Sequence, residues 1–313
     1  MGEIMVSVSG LRKCFGAMVA LQHIDLAVPT GSILGVLGPN GAGKTTLINC
    51  LTTLTKPDGG QAAIAGYDVL TQPAAVRALI SLTGQFAAVD EELTARENLI
   101  LFGRLLRLSI PAAKQRATDL LAQFDLVGAA NRRVKTFSGG MRRRLDLAAS
   151  IVSEPLVLFL DEPTTGLDPR SRQQLWQVVR QLKAQGITIV LTTQYLEEAD
   201  ELADQVVVID QGTVIAAGTP DDLKNRIGGT FCEVRLAHLQ DEGRLRQVMA
   251  DWQDRELVRA GDAFTLAAPD GVTTLTEVLR RTDAAGISLA DISLRRPSLD
   301  DVFFALTGHT TAV

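Results

Sequence analysis

Five short runs of aliphatic and β-branched residues punctuate the first two thirds of the chain, at 33–37 (ILGVL), 80–83 (ISLT), 156–160 (LVLFL), 187–192 (ITIVLT) and 206–209 (VVVI). Each is nearly continuous rather than alternating, the pattern of a strand covered on both faces. Between them, residues 95–108, 111–124 and 170–184 carry apolar side chains at three- and four-residue spacing, which predicts amphipathic helices. Turn residues at Thr30–Gly31, Pro57–Gly60 and Gly212–Thr213 mark connections. Strands alternating with helices predict an α/β layer fold built on a largely parallel sheet.

The pattern changes at Gly228–Gly229. From there the spacing predicts a strand over 231–236, a helix over 241–251, strands over 256–260 and 263–268, a helix over 272–284 and a strand over 287–294. That β-α-β-β-α-β order is the split βαβ arrangement. A last helix, 299–306, is introduced by Pro297 and Ser298. Two domains are therefore expected, 1–225 and a small α+β unit over 229–309, with a loose tail after Gly308.

Composition narrows the class. Of 313 residues, 46% are apolar and 21% charged, enough for sizeable cores. A net charge of -5 and a pI near 5.3 argue against a broad nucleic-acid-binding face. Cys14, Cys50 and Cys232 are widely separated and odd in number, so neither a disulfide framework nor a zinc site is predicted, and a reduced, cytosolic setting is expected. Residues 1–9 lack the basic start and apolar stretch of a secretory signal. Nowhere do the roughly 18 consecutive apolar residues of a membrane span occur.

Candidate chemistry begins at GVLGPNGAGKTTLINCL. Gly38, Gly41, Gly43, Lys44 and Thr45 fit G-x-x-x-x-G-K-[ST] between a predicted strand and a predicted helix. Glycines let backbone N–H groups close around phosphate oxygens, and the helix start adds unpaired donors and its dipole. The whole segment Gly38, Pro39, Asn40, Gly41, Ala42, Gly43, Lys44, Thr45 and Thr46 is thus the expected cradle for the phosphates of a nucleotide. Lys44 is expected to reach the β- and γ-phosphates and the Thr45 hydroxyl to ligate Mg2+. Later, LVLFLDEP ends an apolar strand on Asp161 and Glu162, where open α/β sheets bind ligands. Asp161 is expected to hold magnesium through water and Glu162 to polarise the attacking water. Together the two motifs point to a nucleoside triphosphatase.

The segment FSGGMRRRLDLAAS resembles the LSGGQ signature of the ATP-binding cassette family, with Ser138, Gly139 and Gly140 matched and Phe137 and Met141 differing. Ser138 is suited to cap the following helix, and the two glycines expose its first amides to a second phosphate. In that family two cassettes pack head to tail, so the signature, here Ser138 to Met141, closes over the ATP held by the partner copy. The resemblance therefore implies a homodimer of ATPase subunits. It further implies a Q-loop role and a share in magnesium binding for Gln85, a D-loop role for Asp168, and adenine stacking for Phe15 in KCFG. Gln194 stands where most of the family carries a histidine that contacts the γ-phosphate. Its amide N–H groups can still donate to a phosphate oxygen, although a glutamine cannot become cationic or relay a proton.

TTQYLEEAD, KTFSGGMRRRLDLAASIV and SLDDVFFALTGH together resemble the ATP-binding subunit of daunorubicin/doxorubicin-resistance exporters within that family, over almost the whole chain. The resemblance implies an efflux ATPase at the cytoplasmic face of the membrane. It also implies a separate transmembrane permease docking near 74–108, and no nucleic acid as partner. A soluble cassette ATPase acting on ribosomes or DNA is the alternative, disfavoured by the acidic balance; an ATP-gated switch that scarcely hydrolyses is another, favoured by Gln194 and opposed by Glu162. The Arg142-Arg143-Arg144 run reads as a solvated or interface face of the signature helix. His238 and His309 have no ligand partner nearby in sequence, and the second domain is expected to be regulatory or dimer-supporting.

Overall fold

The computed structural model describes residues 3–84, 88–226, 229–250, 252 and 257–307. The chain divides into two compact units, Met1–Pro220 and Asp221–Val313. In the first, β1 (Ile4–Phe15) and β2 (Met18–Pro29) form an antiparallel hairpin, followed by β3 (Ile33–Leu37) and α1 (Lys44–Leu51). Next come β4 (Gly59–Ile64), β5 (Tyr67–Asp68), α2 (Pro73–Leu79) and β6 (Ile80–Thr83). A helical stretch holds α3 (Ala95–Leu105), α4 (Ile110–Gln123) and α5 (Gly139–Ser150). The remainder alternates: β7 (Val157–Asp161), α6 (Pro169–Ala184), β8 (Thr188–Thr193), α7 (Leu196–Leu202), β9 (Gln205–Asp210) and β10 (Thr213–Gly218).

All ten strands lie in one sheet, ordered β5-β4-β1-β2-β10-β9-β3-β8-β7-β6. The run from β9 to β6 is parallel, as the continuous apolar stretches predict. Alternate residues of these strands feed two different cores. Ile33, Leu158, Leu160, Ile189 and Leu191 pack on the helical side with Leu145, Leu175 and Val179. Leu34, Val36, Phe159, Val190 and Val207 pack on the other, against Leu47, Ile48 and the hairpin. In β3, β7 and β8 every residue is buried, so neither face meets water and their sequences show no alternation.

The antiparallel strands β1, β2, β4 and β5 are not among the predicted elements. In β1 and β2, buried residues such as Val6, Val8 and Leu26 alternate with exposed polar ones such as Ser7, His23 and Asp25. One face is wet, so the apolar run that betrays a central strand is absent. The first predicted helix ends early, at Leu105, because Arg107 turns into the left-handed region at φ 67°. The next starts at Ile110 behind Ser109, whose hydroxyl accepts the Ala112 N–H. Strands β7 and β8 each run one residue further than predicted, so Asp161 and Thr193 are their last residues.

The second unit opens with α8 (Pro220–Arg226). It continues as β11 (Phe231–Leu236), α9 (Glu242–Met249), β12 (Val258–Ala260), β13 (Ala263–Ala267), α10 (Val272–Ala284), β14 (Leu289–Arg295) and α11 (Leu299–Thr307). Its antiparallel sheet, ordered β12-β13-β11-β14, is that of a split βαβ fold. Its own core gathers Cys232, Val234, Leu245, Phe264, Leu266 and Val278. No described helix is long and apolar enough to cross a membrane.

Candidate functional site

The loop between β3 and α1 is held by backbone that admits no side chain at two points. A Cβ on Gly38 would lie 2.2 Å from the Ile209 carbonyl oxygen, and one on Gly43 would lie 2.6 Å from that of Ala20. Gly43 also sits at φ 109° at the cap of α1, where an L side chain is strained whatever the space. The loop curls over a cleft of about 530 Å³ lined by Asn40, Gly41, Gly43, Lys44, Thr45 and Thr46, together with Glu162.

Lys44 is 5% exposed and donates to the carbonyls of Gly38 (2.7 Å) and Pro39 (3.0 Å), with its Nζ 3.8 Å from Glu162 Oε1. Two of the ammonium's three N–H groups are committed to its own loop. Burial pushes the Lys44 pKa down, while the carboxylates of Glu162 and Asp161 oppose the shift. Thr45 Oγ1 lies 3.1 Å from Asp161 Oδ2. Thr192 Oγ1 donates to the other oxygen of that carboxylate at 2.5 Å, which fixes its plane. A hydroxyl beside a buried carboxylate is an all-oxygen donor pair, suited to a hard cation that takes its remaining ligands from phosphate and water. Thr45 and Asp161 therefore fit magnesium.

Glu162 leaves β7 in the left-handed conformation, φ 48°. Outside glycine this costs about 1–3 kcal/mol and persists only where the surroundings enforce it. Its N–H donates to the Thr192 carbonyl at 3.1 Å, and Thr165 Oγ1 donates to Glu162 Oε2 at 3.3 Å. Gln194, half-buried, follows the parallel neighbour β8. The turn that presents it is pinned by the Tyr195 N–H on Thr193 Oγ1 (2.9 Å), by Arg172 stacked 4.7 Å from the Tyr195 ring, and by the Trp176 indole on the buried Glu198 (3.0 Å). Gln194 itself does not line the cleft.

Ser138 caps α5 by accepting the Met141 N–H at 3.3 Å. Asp168 caps α6, its carboxylate accepting both the Ser171 hydroxyl (2.6 Å) and N–H (3.0 Å); those bonds hold its pKa below the usual carboxylate value. The two helix starts meet: a Cβ on Gly140 would lie 2.4 Å from Ser171 Oγ. Neither start lines the Lys44 cleft. Gln85 lies outside the described residues, as does His309.

Two features escape sequence reading. One wall of the cleft is the hairpin strand β2, through Met18, Val19, Ala20 and Gln22, with Gln211 beside it. Gln22 is tied there by its N–H on the Gly212 carbonyl (2.8 Å) and its amide on the Gln211 carbonyl (3.0 Å). Phe15 is 48% exposed at the end of β1, with Lys13 Nζ 5.2 Å from its ring, outside this lining. The proximity of GAMVAL to KCFG was the one available signal.

The second feature corrects the reading of the arginine run as a solvated or interface face. Arg143 is buried and donates inward, Arg142 pairs with Glu91 at 2.7 Å, and Arg144 reaches the Phe124 carbonyl and Asp125. Helical spacing turns successive side chains by about 100°, so a helix packed on several sides sends three adjacent arginines to three different neighbours.

The model of the ABC transporter family matches residues 21–165, and that of the "ATP-binding protein DrrA1-3-like, C-terminal domain" matches residues 218–307. The chain is 52% identical to the doxorubicin resistance ATP-binding protein DrrA of Mycobacterium tuberculosis, over 99% of this chain and 95% of that one. It is 55% identical to the daunorubicin resistance ATP-binding protein DrrA2 of Streptomyces coeruleorubidus, over 98% and 96%. Among solved structures, one described as an ATP-binding subunit of an ABC transporter superposes with a TM-score of 0.63 at 30% identity, covering 71% of this chain and 92% of that one.

Proposed function

Because the chain belongs to the ABC transporter family, and so binds ATP and hydrolyses it to drive transport, we propose that it is the nucleotide-binding subunit of an exporter. The cargo is a lipophilic drug or lipid-like compound, passing through a separate transmembrane permease. What carries this reading is near-full-length identity, through both units, to proteins named for resistance to doxorubicin and daunorubicin. An ATP-binding protein of a transport family confers resistance most directly by powering removal of the drug. The chain then sits at the cytoplasmic face of the membrane by way of its permease.

In the proposed mechanism the loop amides and Lys44 hold the β- and γ-phosphates, and Thr45 and Asp161 would hold magnesium, whose charge would offset that developing on the transferring phosphoryl group. Gln85 is proposed to share that role and Phe15 to stack on adenine. Glu162, level with the end of β8 and 3.8 Å from Lys44, accepts a hydrogen bond from the attacking water and orients it. Catalysis of this kind is positioning plus charge stabilisation. Ser138 to Met141, outside the lining of their own cleft, close over the nucleotide of a second copy, with Asp168 beside them, so two ATP molecules join a homodimer and hydrolysis releases it. The second unit, which brings no cluster of three or more potential metal ligands together among the described residues, supports or regulates that dimer.

Gln194 is proposed to donate its amide to a γ-phosphate oxygen. A hydrogen bond to a charged group is worth about 1.5–3 kcal/mol, so Gln194→Ala is expected to lower kcat by about ten- to a hundredfold while Gln194→His restores it. Steady-state ATPase assays and ATP-driven dimerisation by gel filtration check this; a variant normal in both ends the role.

Affinity purification of the tagged protein from gently solubilised membranes tests the function as a whole. A stoichiometric, multi-span hydrophobic partner is expected, whose complex shows drug-stimulated ATPase activity. Recovery without such a partner, together with ribosomes or nucleic acid, would overturn the exporter reading.

A further inference from the structure

We propose that Arg143 is a positioning residue for Glu162, gripping the backbone on both sides of that carboxylate from the signature helix. The inference rests on Glu162 as the group that orients water. Arg143 lies in the second turn of α5 and is 9% exposed. Its Nε donates to the Pro163 carbonyl at 2.8 Å and its Nη2 to the Asp161 carbonyl at 3.4 Å. Those carbonyls flank Glu162, the residue held at φ 48°. A strained backbone needs external bonds to keep it from relaxing, and a rigid guanidinium fork supplies two at fixed separation.

The same guanidinium reaches a third segment. Nη1 donates to the Gly84 carbonyl at 2.7 Å, and 3.5 Å away stands Asp146, one turn further along α5. Asp146 in turn accepts the Ala88 N–H at 2.7 Å. The buried pair therefore holds the chain at Gly84 and Ala88, on either side of residues 85–87, as well as at Asp161 and Pro163. Burial lowers the Arg143 pKa and raises that of Asp146, each partner opposing the shift in the other. Burying such a pair carries a desolvation cost that a leucine at the same place would avoid. The leucine would fill the volume and hold none of the carbonyls.

The decisive experiment compares single-turnover ATP hydrolysis, ATP affinity and thermal midpoint for the full-length wild type, Arg143→Met, Arg143→Lys, Glu162→Gln and the Arg143→Met/Glu162→Gln double variant. Displacing a catalytic group by about 1 Å costs on the order of a hundredfold, so Arg143→Met is expected to lose about that much in rate with ATP affinity within about twofold. Arg143→Lys should recover part of the loss. On the Glu162→Gln background, removing Arg143 should cost no more than about twofold, because residues acting through one another are not additive.

An unchanged rate in Arg143→Met overturns the proposal, as does an equal loss in both backgrounds. So does a loss of affinity and thermal midpoint in step with rate, which marks a purely structural residue. If the orphaned Asp146 prevents Arg143→Met from folding, Arg143→Met/Asp146→Leu removes both charges together, and the same comparisons apply; failure of Arg143→Lys to fold as well would also assign a purely structural role. Normal hydrolysis in Glu162→Gln alone is a separate result, which overturns the reading of Glu162 itself.

Discussion

Glu162→Gln is expected to lower ATP turnover by about 10²–10⁴-fold, the range for loss of a general base, while ATP still binds. Glutamine keeps the shape of the side chain, so the φ 48° backbone and its bonds to Thr192 are undisturbed. It cannot accept a proton from water. It also removes a negative charge from a cleft built for phosphate, where the Lys44 ammonium lies 3.8 Å away. Both changes favour the ATP-bound state: less repulsion on binding, and no hydrolysis to end it. In gel filtration with magnesium and ATP the variant should therefore run as a stable dimer that the wild type populates only briefly. Normal turnover, or a monomer at saturating ATP, would remove Glu162 from this role.

Lys44→Ala should fail one step earlier. The variant loses the buried cation proposed to face the phosphates and also both of the bonds that hold the loop carbonyls of Gly38 and Pro39. With each hydrogen bond to a charged group worth about 1.5–3 kcal/mol, ATP affinity is expected to fall by about ten- to a hundredfold or more, and turnover further still. Equilibrium binding of a fluorescent ATP analogue, beside the ATPase rate, separates the two variants: Glu162→Gln binds without turning over, whereas Lys44→Ala does neither well. Wild-type affinity in Lys44→Ala would mean that the backbone amides of the loop suffice.

Most of the first unit's parallel core is legible because its physics is local. Strands buried on both faces must be apolar along their whole length, so ILGVL and VVVI declare themselves. A phosphate loop needs glycine where Ile209 and Ala20 crowd the backbone, so its spacing is written in consecutive residues. The second unit's strand and helix order follows from the same alternation of periods.

The hairpin β1–β2 is harder to see, since one of its faces is wet and its apolar positions are diluted by polar ones. That hairpin nonetheless walls the cleft through Met18 to Gln22.

By itself, then, the sequence determined the phosphate loop, the Asp161–Glu162 strand end, the cap at Ser138, the parallel strands of the first unit and the strand and helix order of the second from β11 onward, because each depends on neighbours within a few residues. Only the tertiary structure decided that Ala20 lies against Gly43 and Gly212, and that Phe15 stands outside the lining of the cleft. It likewise decided that Arg143 turns inward to hold Asp161 and Pro163 rather than facing solvent. Those facts join residues about 20 to 190 positions apart, and which partner a side chain meets across such a gap depends on how sheet and helices pack, which no local spacing records.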